Sequence, residues 1–325
     1  MQIRRRSSLR TEEDVINQRS CVVLGGGGFI GLNLCRRLVD SGYRVRVFDR
    51  HCLFPEELSG AEWYQGDFLD AAGLEAAIGP SDIVFHLVHT TIPQSANIDM
   101  VGDVEKNLIP SLSLLEVCRK VRAARIVFVS SGGTVYGCPQ DIPTPETAPT
   151  NPITAYGISK LAIEKYLALY EHLHGVEFRV LRVANPYGPF QIAHKNQGIV
   201  AAILSRALSN RRMEIWGDGS IIRDFVFIED LTEALVAAAL DRSDQRIFNI
   251  GSSRGLSVRD VIAAIEHQLD LKLDIDWEPG RTVDVPVSIM SVDRARTYLG
   301  WEPKTQFETG LQKTIAWWRS RRPDA

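Results

Sequence analysis

The 325-residue sequence contains no apolar run long enough to span a bilayer, and no apolar segment follows its basic start as a signal peptide requires. It has no CxxC pair, no HxxxH and no carboxylate cluster at ligand spacing, so no metal site is expected. Its five cysteines (Cys21, Cys35, Cys52, Cys118, Cys138) are odd in number, and three fall in apolar strand or helix patterns as core thiols do. With the missing leader, this favours a reducing, cytoplasmic setting. Positive charge is not in excess either. Lys and Arg total 37 against 40 Asp and Glu, a formal net charge of −3, which excludes general attraction to nucleic acid or acidic membranes. The one basic cluster, "RRRSSLR" at Arg4 to Arg10, precedes any periodic segment and reads as a disordered tail. His172 and His174, in "YEHLHG", read as a solvated helix end rather than as metal ligands.

What the chain does have is a 45% hydrophobic content, enough for a sizeable core divided between two lobes. From residue 21, short β-branched runs alternate with helical patterns. "CVVLGGG" leads into a helix with Ile30, Leu34 and Leu38 at i, i+4, i+8, ending at Ser41-Gly42. "YRVRVFD", "DIVFHLV", a helix around "SLSLLEVCRK", "RIVFVSS", a helix from about Gly157 to Leu173 and "EFRVLRVAN" follow. Doubly buried strands alternating with helices predict an α/β fold, a Rossmann-type doubly wound parallel sheet. Past about residue 186 the pattern is mixed, predicting a smaller α/β C-terminal lobe, with "IFNIGS" at Ile247 to Ser252 as a late strand returning to the sheet. The expected division is a polar tail over 1–20, a dinucleotide-binding domain over 21–185 with a return near 226–254, and a substrate lobe over 186–325.

The first strand runs into "GGGGFIG", with Gly25, Gly28 and Gly31 spaced GxxGxxG and Phe29 and Ile30 opening the helix. Without Cβ atoms the loop turns tightly and brings backbone N–H groups to a pyrophosphate at a helix N-terminus. The next strand ends in Asp49, 18 residues beyond Gly31. A carboxylate there accepts both hydroxyls of an adenosine ribose and repels a 2′-phosphate, which favours NAD over NADP; the adjacent Arg50 pulls the other way. "GDF" places Asp67 and Phe68 at a similar strand end, either flanking the adenine or forming a surface turn.

"AYGISK" places Tyr156 and Lys160 at i, i+4 on one helix face, and no other tyrosine of the eight has a lysine four residues on. A phenol has a pKa of about 10, so work as a base near neutrality needs a shift of roughly 3 units, about 4 kcal/mol. One cation about 4 Å away at an effective dielectric near 20 supplies about that much. Lys160, helped by an oxidised nicotinamide, is expected to be that cation.

These motifs, with "SSGGTVYG", "RVANPYGPFQ", "WGDGSIIRDFVFIEDL" and "GWEPKTQFETGL", resemble the extended short-chain dehydrogenase/reductases over residues 21 to about 320. The branch they resemble is that of the NAD-dependent nucleotide-sugar epimerases and dehydratases, of UDP-glucose 4-epimerase type. The resemblance implies that Tyr156 exchanges a proton with a sugar hydroxyl while hydride passes to NAD and back. It implies that Lys160 holds the nicotinamide ribose and tunes the tyrosine. It places Leu87, Asn107 and Ser130 at the cofactor site, and Asn185, Arg223, Arg281 and Asp284 on the substrate's diphosphate and ribose. Trp216 has two readings, a wall of the nucleotide-base pocket or a core tryptophan. A homodimer is implied, as is a UDP-sugar substrate.

The family's usual serine or threonine, four residues before Tyr136, is Gly132 here. The resemblance implies that this hydroxyl assists the tyrosine without carrying the proton, so its loss costs roughly a few kcal/mol of transition-state stabilisation rather than the mechanism. Thr134, or Ser131 on the other side of the glycine pair, is expected to compensate. Related 4,6-dehydratases and decarboxylases carry a carboxylate in this stretch; Gly133 and Thr134 stand there instead. The expected activity is therefore epimerisation at C4 of a UDP-hexose. The alternatives are a 4,6-dehydratase or keto-sugar reductase, or a non-catalytic NAD-binding scaffold.

Overall fold

The structure is a computed structural model that describes residues 19–193, 198–280 and 285–321. The tail cluster Arg4 to Arg10 lies outside the described residues.

In β1 (Ser20–Leu24), Cys21 and Val23 enter one apolar layer while Val22 and Leu24 enter the other. This two-sided burial is why the strand reads as a continuous apolar run rather than an alternating one. The chain continues through α1 (Phe29–Asp40), β2 (Arg44–Asp49), β3 (Glu62–Gln65), α2 (Ala71–Ala77) and β4 (Ile83–His86). Next come α3 (Pro93–Ile98) and α4 (Met100–Asp103), which passes through a π-turn at Val104–Leu108 into α5 (Ile109–Val121). Then follow β5 (Arg125–Ser131), the single-turn α6 (Gly132–Val135), α7 (Ala155–His174) and β6 (Phe178–Val183).

These strands form a seven-stranded sheet in the order β10-β6-β5-β4-β1-β2-β3, every neighbour parallel. The seventh strand, β10 (Ile247–Ile250), joins from far along the chain beside β6. The order reverses between β1 and β4, and ligands of such sheets bind at the carboxyl ends of strands flanking that crevice. Leu24 pairs with His86 and His86 with Phe128, so Gly25, Leu87 and the end of β5 emerge along one edge.

The second lobe is organised on β9 (Ile222–Phe227). Strand β7 (Asn185–Tyr187) and β13 (Val287–Ser288) pair with it in parallel, and β11 (Gly255–Ser257) antiparallel. A separate parallel pair joins β8 (Met213–Trp216) to β12 (Ile275–Glu278). Helix α8 (Ile199–Leu208) lies between β7 and β8, and α9 (Ile228–Leu240) leaves β9 and packs against α1 on the main sheet, so the two lobes share a core. His172 and His174 are exposed at the last turn of α7, which Gly175 ends with φ +71°. All five cysteines are free thiols. Among the described residues no helix is long and apolar enough to cross a membrane, and no cluster of His, Cys, Asp and Glu is arranged to hold a metal.

Candidate active site

At the end of β1, Gly25 turns with φ +83° and its N–H donates to the Phe48 carbonyl at 2.9 Å. A Cβ on Gly31 would lie 2.1 Å from the Gly25 carbonyl oxygen, so no side chain is tolerated where α1 meets the loop. Gly28 precedes the first turn of α1, whose Phe29 and Ile30 pack against the core below the loop. Asp49 ends β2 with Oδ2 accepting from the Gly27 N–H at 3.0 Å and Oδ1 from the Arg50 N–H at 2.7 Å. Two backbone donors thus fix the carboxylate against the glycine loop. A groove of about 210 Å³ runs along this edge, lined by Gly25, Gly28, Asp49, Asp67, Leu87 and His89 among others. Arg50 and Phe68 also line it, with the Arg50 guanidinium exposed 3.8 Å from Asp67 and Phe68 packed on His86. A larger hollow of about 380 Å³ lies beyond Arg50, between Cys52 and Trp63, and contains none of the reactive groups described below.

Helix α7 begins at Thr154, whose hydroxyl accepts from the Gly157 N–H. Tyr156 and Lys160 follow in its first two turns, the lysine 2% exposed. Its Nζ donates to the Val129 carbonyl at 2.8 Å and lies 5.8 Å from the Tyr156 ring centroid. Burial pulls the Lys160 pKa down to about 7, with Glu164 and Asp103 resisting. The Tyr156 phenol is pushed above its ordinary 10 by burial and then by the negative charge of Asp103. Without the oxidised nicotinamide that the expectation included, desolvation outweighs the lysine, whose Nζ is held on the Val129 carbonyl.

The glycine at 132 has a structural counterpart. A Cβ there would meet Met290 Sδ at 2.6 Å and the Arg182 carbonyl at 3.2 Å, so the Met290 thioether fills the space that a side chain at 132 would need. Met290 is 1% exposed, and its backbone N–H is held by Asp224. Two residues on, Thr134 Oγ1 is buried with no hydrogen-bond partner, while Ser131 is half-buried at the strand end. Of the two candidate hydroxyls, Thr134 is the one left unsatisfied by the fold.

Other sequence candidates are distributed as follows. Ser130 is buried and its hydroxyl donates to Glu164, which also pairs with Arg182, so the Ser130 side chain is committed away from the groove. Asn107 stands behind the groove, its Oδ1 accepting from the Thr90 N–H and its Nδ2 donating to Asp103. In the second lobe Asn185 donates to the Asp224 carbonyl, and Arg223 to the carbonyls of Ile222 and Val285. Trp216 is 46% exposed at the end of β8, which removes the core-tryptophan reading. Arg281 and Asp284 lie outside the described residues. Sequence reasoning missed His89, Asp103 and Met290. The signal for His89 was its place just beyond β4 at the ligand edge, and for Asp103 its i, i+4 spacing to Asn107. Met290 gave none, because its relation to Gly132 exists only in three dimensions.

The sequence matches the NAD dependent epimerase/dehydratase family over residues 21–251. The chain belongs to that family. Among members, the UDP-glucose 4-epimerase of Mycolicibacterium smegmatis is 32% identical over 309 residues, covering 92% of this chain and 98% of that protein. The structure of a UDP-glucose 4-epimerase from Thermotoga maritima with UDP-glucose superposes with a TM-score of 0.88 at 34% identity, covering 93% of this chain and 99% of the other. The Thermus thermophilus UDP-glucose 4-epimerase in complex with NAD gives 0.87 at 31% identity, covering 93% and 100%. As in the epimerase/dehydratase family generally, the cofactor is NAD. The residues present fit it: a glycine loop with no room for side chains, a fixed carboxylate at the end of β2 and, against the groove-lining His89, a half-buried tyrosine with a buried lysine one turn on.

Proposed function

We propose that this chain is an NAD-dependent nucleotide-sugar epimerase that inverts C4 of a UDP-hexose through a keto sugar. One observation carries the reading: a half-buried tyrosine packed on the groove-lining His89 and a buried lysine one helical turn on lie on a helix packed against the turn from Ser131 to Tyr136, which holds no carboxylate. Proton abstraction at a hydroxyl has its base there, whereas elimination and decarboxylation lack theirs. A scaffold that merely bound NAD would have no use for the pair.

The glycine loop and Asp49 hold the dinucleotide, and Lys160 holds its nicotinamide ribose. When bound, NAD supplies the hydride acceptor and donor and, in its oxidised form, a positive charge beside the phenol. Tyr156 takes the proton of the sugar hydroxyl and returns it to the rotated keto sugar. Thr134 donates the assisting hydrogen bond. Asn185, Arg223, Arg281 and Asp284 hold the diphosphate and ribose, and Trp216 offers its exposed face to the base. The second lobe, from residue 186 apart from the return near 226–254, is the substrate lobe. The free cysteines suit a reducing cytoplasm.

Incubation with a panel of UDP- and TDP-sugars is expected to give a C4 epimer by NMR, with no added reductant and no net absorbance change at 340 nm. Stoichiometric NADH, or a demand for external reductant, would move the assignment to a dehydrogenase or reductase.

The same chain carries an apolar stripe on α7, where Ile158, Tyr166, Leu169 and Leu173 are exposed at helical spacing beside exposed Ile98, Val101 and Val104. A stripe this continuous suits a twofold interface between copies of the chain. Light scattering is expected to give twice the 36.3 kDa chain mass, and Leu169→Glu to give the monomer. A parent protein that runs as a monomer at micromolar concentration contradicts the dimer.

A further inference from the structure

His89 follows β4 at the ligand edge and lines the groove between Val88 and Thr90. Its side chain is 7% exposed, and both ring nitrogens are buried without a hydrogen-bond partner. The ring packs edge-on against Tyr156, with centroids 4.5 Å apart and an interplanar angle of 73°. Nε2 lies 3.7 Å from Asp103 Oδ1, which is electrostatic range but longer than a formed hydrogen bond.

Asp103 is fully buried at the end of α4. Its Oδ1 accepts from the Thr91 hydroxyl and from Asn107 Nδ2, and its Oδ2 from the Ser159 hydroxyl. Ser159 stands between Tyr156 and Lys160 in the chain, so the carboxylate is tied to the helix that carries the reactive pair. Asn107 ties it equally to the loop that carries His89, through the Thr90 N–H at 2.8 Å. A carboxylate clamped from both sides holds an imidazole against a phenol.

We propose that Asp103 and His89 form a carboxylate–imidazole pair that positions Tyr156 and governs its ionisation. Asp103 selects the Nε2–H tautomer of His89. The neutral ring fixes the rotation of the phenol and partly neutralises the carboxylate whose charge the phenol feels. His89 is a positioning residue, acting through Tyr156 rather than on the sugar. Burial, and then Lys160, push the His89 pKa down to about 4 against the pull of Asp103, so the ring is neutral at working pH. Burial by itself would raise the Asp103 pKa, but the nearby His89 imidazole and the hydrogen bonds from Ser159 and Thr91 hold it well below the carboxylate range. The titratable groups that face Tyr156 and His89 are Asp103 from α4, Lys160 from α7 and His86 from the end of β4. Burial, then Lys160, keep His86 neutral.

The inference rests on Tyr156 as the acid/base of the proposed function, and its test separates the two. His89→Phe keeps a ring against the phenol and removes both nitrogens. Its kcat is expected to fall about tenfold with KM within about twofold, and the acid limb of the kcat profile to move up by about half a unit or more, because the Asp103 charge then acts on the phenolate uncompensated. His89→Gln retains an N–H donor toward Asp103 and is expected to recover most of both effects. A His89→Phe enzyme with the parent's kcat and pH profile overturns the proposal. So does an equal loss in both variants with the acid limb unmoved, since packing alone would give that. The state of the imidazole is read without turnover from the ¹⁵N shifts of His89 in the NAD-bound protein. They are expected to show the neutral Nε2–H form down to about pH 5. A protonated ring or the Nδ1–H tautomer at pH 7 overturns the pair even if the sugar substrate has been misassigned.

Discussion

Tyr156→Phe is expected to lower kcat by about 10³-fold or more while NAD binds within about twofold of the parent, since positioned acid–base groups contribute typically 10² to 10⁴. The substitution removes one oxygen and leaves the ring. The edge-on contact with His89 and the burial of the helix face are kept, so cofactor binding and stability change little. What disappears is the phenol oxygen, the atom that takes and returns the hydroxyl proton in the proposed function. Lys160 does not substitute for it, because its Nζ is held on the Val129 carbonyl 5.8 Å from the ring centroid. The pH dependence follows the same logic. Burial and Asp103 raise the phenol's pKa, so the base form is disfavoured at low pH and activity falls as pH drops through the phenol's pKa in the complex. Single-turnover kinetics beside calorimetric NAD binding measure both halves. A phenylalanine variant as active as the parent removes the mechanism.

The second large effect concerns the hydroxyl absent at position 132. Thr134→Val keeps shape and deletes the buried, unsatisfied Oγ1, and kcat is expected to fall about 10- to 1000-fold, the usual worth of one transition-state hydrogen bond. Gly132→Ser by itself is expected not to rescue it. The new Cβ falls 2.6 Å from Met290 Sδ and 3.2 Å from a backbone carbonyl, and overpacking of this kind destabilises by about 1–3 kcal/mol. The thioether is the yielding partner, because Met290's backbone is fixed through Asp224 while its side-chain end is not. Gly132→Ser with Met290→Ala therefore opens the space and is expected to recover part of the activity lost in Thr134→Val. Melting temperatures and kcat for the four variants decide the matter. Full activity in Thr134→Val with a crippled Ser131→Ala places the hydroxyl on the other side of the glycine pair.

These two experiments also mark where the sequence was informative. The doubly wound sheet was legible because β1, β4, β5 and β6 are buried on both faces and so appear as short runs rich in Val, Ile, Leu and Phe rather than as alternating patterns. The Tyr156–Lys160 pair was legible because i, i+4 on a helix is a local rule. The second lobe was not, since β7, β11 and β13 are two or three residues long and owe their existence to pairing with β9. The surroundings of Tyr156 were only partly legible for a related reason. Spacing puts a lysine on the same face, but it cannot reveal that the Val129 carbonyl holds the ammonium or that Asp103 arrives from another helix. Met290 and Gly132 are 158 positions apart, and only the fold brings a sulfur into the space of a missing side chain.

In the proposed reaction one hydride leaves C4 of a sugar nucleotide and returns to the same carbon. A UDP-hexose deuterated at C4, converted by the enzyme in ordinary water, tests this by NMR of the product. The expected product is an epimer with its C4 deuterium fully retained and no NADH accumulated. Loss of the C4 label to solvent, or an unchanged sugar with NADH formed in proportion, contradicts it.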